Sequence, residues 1–373
     1  MKDFKRLSVA VVGFGLATAV FGAGIAQADP TDQPPYRALQ GSGSDTTENV
    51  MNALSDVVKD ANGHKTIASY DSLSTSGFKT RTDGCSYTGN PTPASAYLEG
   101  ARANGSGNGR KALADAVNPA KTTFGCLDFA RSSSGSGTFG FASTYIPFAK
   151  DAVAFAVTNT SVFPRTLTLV ELKAIYTCQF TGVDGTPGGG YKALLPQAGS
   201  GTRSFWLGVV GLTEPALGVT GAYPCVTDQT DYGVRGGSKP IQEHLGNVVK
   251  NNAIAPISIA QYIAQSEGAI PDSRGRAVLG AFSDGAGAVS NPMSLNTTYG
   301  TVGAANLNAP VTRDVYNVVP TAAITSGNAA YNQAAVDTFV GANGLLCSQS
   351  ATIAKFCFGV LGAACGSTTK TGS

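Results

Sequence analysis

Charged residues are scarce in this 373-residue sequence, and histidines are scarcer still. Asp, Glu, Lys and Arg make up 13% of the chain, the net charge is +2, and there are two histidines. A nucleic-acid-binding protein needs a basic stripe, which this balance does not supply. With so few histidines and no Cys-x-x-Cys spacing, a metal site is not expected. We therefore predict neither a nucleic-acid partner, nor a metal, nor a cofactor.

Only the N-terminus carries a long apolar run. It has a basic start, an apolar stretch from Leu7 to Ile25 and the small-x-small sequence Ala26-Gln27-Ala28. This pattern predicts a signal peptide over residues 1–28 and a secreted or periplasmic mature chain. The stretch is also long enough to remain as an uncleaved anchor. No cysteine follows the cleavage site, so lipid attachment is not expected.

Apolar and turn-rich segments alternate along the mature chain. Asp151 to Val157 is apolar and β-prone, as expected of a strand buried on both faces. Thr168 and Glu171 form a capping box that begins a helix, and Val315 to Val319 is another strand, ended by Pro320. This alternation predicts α/β lobes with largely parallel sheets, whose ligands bind at the carboxyl ends of strands. About 345 residues after the signal are enough for two lobes.

Three loops rich in glycine and hydroxyl groups precede predicted helices or follow predicted strands. They are Gly41 to Glu48, Arg131 to Gly137 and Gly199 to Arg203. In the first, Asp45 and Glu48 have capping-box spacing, and in the last a helix begins near Thr202. An ordinary helix cap explains any one of them. Together, the three loops predict one oxyanion site built from backbone N–H and hydroxyl donors.

The chain resembles the substrate-binding proteins of phosphate-specific ABC transporters, which have the two-lobe type II periplasmic-binding-protein fold. The matching stretches span most of residues 38–320 and are Gly41-Ser42-Gly43-Ser44-Asp45-Thr46, Asp128 to Ser134, Leu167 to Tyr176, Gly199-Ser200-Gly201-Thr202 and Asn252 to Ser258. The resemblance implies a monomeric, non-catalytic protein that delivers inorganic phosphate or a similar oxyanion to a membrane permease. We expect lobe I over 36–150 and 308–373, and lobe II over 151–307.

The resemblance also implies ligand residues in both lobes. The family's aspartate in the third loop is Ser133 here, and its arginine before Ser-Gly-Thr is Pro196. An acceptor and two cations are then expected from Asp45, Arg131 and Arg203. The complete set of candidates is Ser44, Asp45, Thr46, Ser74, Ser76, Arg131, Ser132, Ser133, Ser200, Gly201, Thr202 and Arg203.

Two other functions remain open at this stage. One is a secreted surface or matrix protein on the same scaffold that has altered or lost ligand binding. The other is a phosphate-ester hydrolase. Two observations count against it: His64 and His244 lie in polar or surface contexts, and no two-metal cluster is visible in the sequence.

Seven cysteines, all in the mature part, suit an oxidising compartment. We expect Cys85 to pair with Cys126 and Cys178 with Cys225, because each pair falls within one expected lobe. Cys347 with Cys365 would fasten the C-terminal end and leave Cys357 as a buried thiol. The sequence alone does not fix this connectivity.

Overall fold

A computed structural model describes residues 29–89, 97–135, 137–182, 184–214, 221–231, 239–287, 289–290 and 311–373. The predicted signal peptide, residues 1–28, lies outside the described residues. Within the described ranges, no helix is both long enough and apolar enough to cross a membrane.

The chain alternates short strands and helices, as expected for an α/β protein. The strands are β1 Leu39–Gly43, β2 Ile67–Ser69, β3 Phe78–Lys79, β4 Ser86–Tyr87, β5 Phe129–Ser132, β6 Ser143–Thr158, β7 Thr166–Thr168, β8 Lys192–Leu194, β9 Val226–Thr227, β10 Ala253–Ser258, β11 Ala277–Leu279, β12 Ala281–Ser283, β13 Val289–Ser290, β14 Thr312–Pro320 and β15 Thr371–Gly372. The helices are α1 Glu48–Val57, α2 Ser106–Val117, α3 Leu169–Tyr176, α4 Gly201–Val209, α5 Ile259–Ser266, α6 Gln333–Phe339 and α7 Ser350–Lys355.

Two halves of one large sheet repeat the same strand order. In lobe I the order is β2-β1-β5-β14-β6, and in lobe II it is β9-β8-β10-β6, with β11 on the other edge of β6. In each lobe the first three strands are parallel, and the strand that returns from the other lobe runs antiparallel to them. This repeated order is that of the two-lobe type II fold, so the predicted fold class is confirmed.

Strand β6 belongs to both lobes. Its first part, up to Ala152, pairs with β14, and its last part, from Val153, pairs with β10 and β11. The apolar run Asp151 to Val157 is therefore a buried strand, as predicted, but it continues back to Ser143. The limits assigned to the lobes from sequence stay a prediction.

The two predicted capping boxes have different outcomes. In α3, Thr168 accepts from the Glu171 backbone and Glu171 accepts from the Thr168 backbone, so this box is confirmed. In α1, no side chain caps the helix, so the box predicted for Asp45 and Glu48 is wrong. The Glu48 carboxylate instead accepts from Ser72 and pairs with the buried Arg131, because a buried guanidinium requires a charged partner.

Helix α4 is fixed by an aromatic contact on its apolar face. Trp206 is fully buried and meets Tyr176 of α3 edge-to-face, with ring centroids 5.9 Å apart. The Tyr176 hydroxyl donates to the Leu194 carbonyl in β8. Truncating such a buried aromatic typically costs about 3–5 kcal/mol. The N-terminus of α4 is thus held rigidly against the sheet of lobe II.

Three disulfides connect the pairs expected from sequence. Cys85 bonds to Cys126, Cys178 to Cys225 and Cys347 to Cys365. Cys357 is a buried free thiol, also as predicted.

Removing the first disulfide is expected to destabilise lobe I. Cys85 and Cys126 are 41 residues apart, and a cross-link of this loop length contributes about 4 kcal/mol in the chain-entropy model. The double variant Cys85→Ala/Cys126→Ala should lose about that free energy of unfolding in urea titrations. Cys357→Ala, which removes a thiol but no cross-link, is the control. An unchanged free energy in the double variant would contradict this assignment.

Candidate anion-binding site

Five hydroxyl side chains converge where the two lobes meet. Oγ of Ser133 lies 3.1 Å from Oγ of Ser44, 3.2 Å from Oγ1 of Thr46 and 3.2 Å from Oγ of Ser106. Oγ1 of Thr202 lies 3.3 Å from Oγ1 of Thr46. All five residues are fully buried. We call them the hydroxyl cluster, and each of the three loops singled out in the sequence contributes to it.

The fold explains why these loops meet. Ser44 and Thr46 follow β1 and Ser133 follows β5, at the carboxyl ends of parallel strands, where α/β proteins place their ligand loops. Ser106 is the first residue of α2, and Thr202 lies in the first turn of α4. Both lobes therefore contribute hydroxyl donors, two of them at helix N-termini.

Gly201 allows the two lobes to approach closely. A Cβ at this position would lie only 2.3 Å from Oγ of both Ser106 and Ser133. Any larger residue would separate the lobes at this point. The neighbouring Ser200 caps its own helix, because its Oγ accepts from the Arg203 backbone N–H at 2.9 Å at the start of α4.

A carboxylate lies among these donors. Glu243 accepts hydrogen bonds from the hydroxyls of Thr46 and Thr202, the latter at 3.1 Å. Its other oxygen is 3.4 Å from the Thr202 backbone nitrogen, at the N-terminus of α4. A helix N-terminus with unpaired N–H groups stabilises negative charge. The hydroxyl cluster thus holds a negatively charged group, the Glu243 carboxylate of the chain itself.

A histidine balances the charge of this carboxylate. Nε2 of His244 is 3.3 Å from Glu243 and 3.6 Å from Asp45. Burial alone would lower the pKa of His244, but the adjacent carboxylates of Asp45 and Glu243 raise it to about 9. Burial and the Glu243 charge raise the pKa of Asp45. For Glu243, burial would raise the pKa, but the His244 contact outweighs it and lowers the pKa.

The residues Gln242 to His244 form consecutive contacts across the cleft. Gln242 Oε1 accepts from Asn104 Nδ2 of lobe I at 2.7 Å. Glu243 bonds to Thr46, and His244 faces Asp45, also in lobe I. His244 has a left-handed φ of 65°, which is uncommon for residues other than glycine. We call Gln242 to His244 the cross-cleft segment.

Arg313, from the strand that returns to lobe I, donates to a hydroxyl of the cluster. Nη2 of Arg313 donates to Thr202 Oγ1 at 2.9 Å and to Asp151 Oδ2 at 2.9 Å. Arg313 and Asp151 are register partners on β14 and β6, at the point where the chain passes between lobes. Ser258 donates to the same aspartate at 2.8 Å. A fully buried ion pair thus fixes one wall of the site.

The arginines expected from sequence point elsewhere. The guanidinium of Arg131 bonds to Glu48, Ser69 and backbone carbonyls of lobe I. That of Arg203 pairs with Asp228 at 2.9 Å and with Glu214. Both are buried in local charge pairs, and the bonds described for them reach no hydroxyl of the cluster; Arg131 contacts it only at the Ser44 backbone carbonyl, at 3.1 Å.

Four of the predicted serines also lie outside the cluster, one of them the α4 cap Ser200. Ser132 donates to the Ser134 carbonyl within its own turn. Ser74 is half-buried and accepts from the Ser76 backbone, and Ser76 is exposed. Asp45 is near the cluster, but its contact is with His244.

Four contributors were missed by sequence reasoning. Ser106 had a usable signal, because Gly105-Ser106-Gly107 precedes an apolar stripe just as the other hydroxyl loops do. Arg313, Glu243 and His244 had none, since no local pattern connects them to the loops they face. The expectation that His244 lies in a surface context was wrong: it is 8% exposed.

The cross-cleft segment includes a possible cation site. Ligand atoms of Asp45, Glu243 and His244 lie within 4.8 Å of one another. The raised pKa of His244 means that a proton already supplies positive charge there at neutral pH. A metal ion would have to displace that proton.

Comparisons with known proteins found similar solved structures and no match among family models or curated proteins. The solved structures that match include an ABC-type phosphate transport receptor from Vibrio cholerae, with 16% identity, a TM-score of 0.49 and coverage of 87% of this chain and 100% of that one. Another is a putative phosphate ABC transporter substrate-binding protein with bound phosphate from Clostridium perfringens. Its identity is 17% and its TM-score 0.47, and the match covers 87% of this chain and 99% of that one. A third is a phosphate-binding protein from Stenotrophomonas maltophilia, with 15% identity, a TM-score of 0.42 and coverage of 88% of this chain and 91% of that one.

The chain is similar to these proteins. Identity and superposition are both low, and the fold assignment rests on the repeated strand order of the two lobes.

Because folding favours the protonated form of His244, the free energy of unfolding should fall as the pH becomes alkaline. A pKa that rises from 6.5 to about 9 on folding adds stability that is complete below pH 6.5 and is lost as the pH rises through about 9. The raised pKa of Asp45 acts in the same direction. The contribution of His244 to the free energy of unfolding amounts to about 3 kcal/mol at most. Urea unfolding across this range should show the loss, and His244→Asn should flatten it.

The chain offers a matched control for this experiment. His64 is the only other histidine, and 78% of its side chain is exposed. His64→Asn should keep the pH profile of the wild type. Equal flattening by both variants would contradict the assignment to His244.

Proposed function

We propose that this protein is an extracytoplasmic binding protein that closes two lobes around a protonated oxyanion, most simply hydrogen phosphate, and delivers it to a membrane permease. The observation that carries the proposal is the convergence of Ser44, Thr46 and Ser133 of lobe I with Thr202 of lobe II on one buried anion site. Such a site binds only when both lobes close, as transport receptors require.

Glu243 and Arg313 take the acceptor and cation roles that the sequence suggested for Asp45, Arg131 and Arg203. An acceptor is needed for the proton of hydrogen phosphate, and Glu243 is an ionised carboxylate inside the donor set. A cation is needed to offset the charge of the ligand, and Arg313 contacts Thr202 from the opposite side. Neither role then depends on the aspartate and the arginine that the family has at the positions of Ser133 and Pro196.

Binding suits this geometry better than catalysis does. A serine nucleophile needs a neighbouring base with a free lone pair. His244 carries a proton at neutral pH because its pKa is raised to about 9. The lowered pKa of Glu243 makes it a weak base but a good hydrogen-bond acceptor.

The charge of Glu243 should determine which anion is bound. Hydrogen phosphate can donate its proton to the carboxylate, whereas sulfate has none and would face it with two unpaired acceptors. Glu243→Gln replaces the acceptor by a donor of the same shape. Isothermal titration should show phosphate affinity falling about 10- to 150-fold, the loss expected for one charged hydrogen bond, and sulfate affinity rising.

Glu171→Gln is the matched control, since Gln preserves a capping box and Glu171 is exposed. It should leave both affinities unchanged. If Glu243→Gln raises the affinity for phosphate as well as sulfate, the carboxylate only blocks the site. That result would favour a scaffold that has lost its ligand.

A further inference from the structure

A cavity of about 520 Å³ adjoins the hydroxyl cluster. Ser133 and Arg313 line this cavity and also contact the hydroxyl cluster, so the two adjoin through these side chains. A five-atom phosphate needs a small part of this volume, which lies in the range of pockets for small organic ligands. Inorganic phosphate alone leaves this space unexplained.

The inner wall of the cavity has unused binding capacity. Arg313 uses Nη2 for Thr202 and Asp151, while its Nη1 has no hydrogen-bond partner among the described residues. Only 3% of this side chain is exposed. A buried guanidinium N–H without a partner is costly, and a ligand oxygen would satisfy it.

The remaining wall combines apolar surface with the Lys150–Asp314 ion pair, at 3.3 Å, and a further lysine. Phe205 lies under the Arg313 guanidinium, 5.4 Å from ring centroid to Cζ, and Val209 adds apolar surface from the same helix. Tyr316 contributes a second ring, with Nζ of Lys370 at 5.8 Å from its centroid. Lys370 forms no ion pair within the described part of the chain. Such a wall suits an organic group attached to an anionic head.

We propose that the ligand is a phosphate monoester, with its phosphate in the hydroxyl cluster and its organic group in this cavity. The inference rests on the proposed function and specifies its substrate class. A monoester has a second pKa near 6, so a large share of it retains the proton that Glu243 accepts at mildly acidic pH. Phenyl phosphate at about pH 6 is the probe, with inorganic phosphate for comparison.

Gly208 provides a direct test. It lies on the exposed side of α4 and lines the cavity, and a Cβ at this position would meet no atom within 4 Å. Gly208→Phe should therefore fill the cavity without disturbing the helix. In isothermal titration, the variant should bind phenyl phosphate at least about tenfold more weakly and bind inorganic phosphate as the wild type does.

Two further variants make the result independent of folding defects. Gly208→Ala adds one methyl group and should leave both affinities unchanged. Ser204→Phe fills the same cavity from another exposed position of α4 and should repeat the effect of Gly208→Phe.

The outcomes separate this inference from the function on which it rests. If the wild type binds phosphate but not phenyl phosphate, the inference is wrong and the proposed function stands. The same follows if the ester binds equally to wild type and to both cavity-filling variants, because its organic group then lies elsewhere. If neither compound binds to the wild type, the proposed function and the inference both fail.

Discussion

The structure depends on a buried carboxylate whose partners come from both lobes. Glu243 is fixed by Thr46 of lobe I, by Thr202 of lobe II and by the N-terminus of α4. Burying an unpaired carboxylate is prohibitively costly, so these partners and the His244 imidazolium must all be present together. A bound oxyanion would require the same donors and the same electrostatic balance. Under the proposed function, the contacts that join the lobes are also those that would select the ligand.

The backbone makes this arrangement possible through close approach and register. Gly201 brings α4 against Ser106 and Ser133, where a Cβ would clash. The exchange of β6 between the sheets places Asp151 opposite Arg313, next to the helix that carries Thr202. Small local features thus determine where charge lies at the junction of two lobes.

Local signals in the sequence predicted local structure well. The Ser200 cap, the Thr168–Glu171 box and the apolar run in β6 each depend on neighbours within a few residues, so their patterns are visible in the chain. The Asp45–Glu48 pattern failed because Glu48 pairs with Arg131, which is 83 residues away. Tertiary charge pairing overrode a cap in that case.

The chemistry of the site could not be derived in the same way. Glu243 contacts a threonine 197 residues earlier, and Arg313 one 111 residues earlier. No periodicity or spacing encodes such pairs, whereas the glycine- and serine-rich loops that they meet were recognisable. Sequence patterns located four of the five hydroxyls of the cluster, whereas the contacts of Glu243 and Arg313 with it became visible only in the fold.

A crystal structure of the protein with inorganic phosphate tests the central claim most directly. The account predicts a tetrahedral anion in contact with Ser133, Thr202 and Arg313, with one of its oxygens within hydrogen-bond distance of Glu243. An anion bound elsewhere, or a hydroxyl cluster still filled only by Glu243 at saturating phosphate, would contradict it.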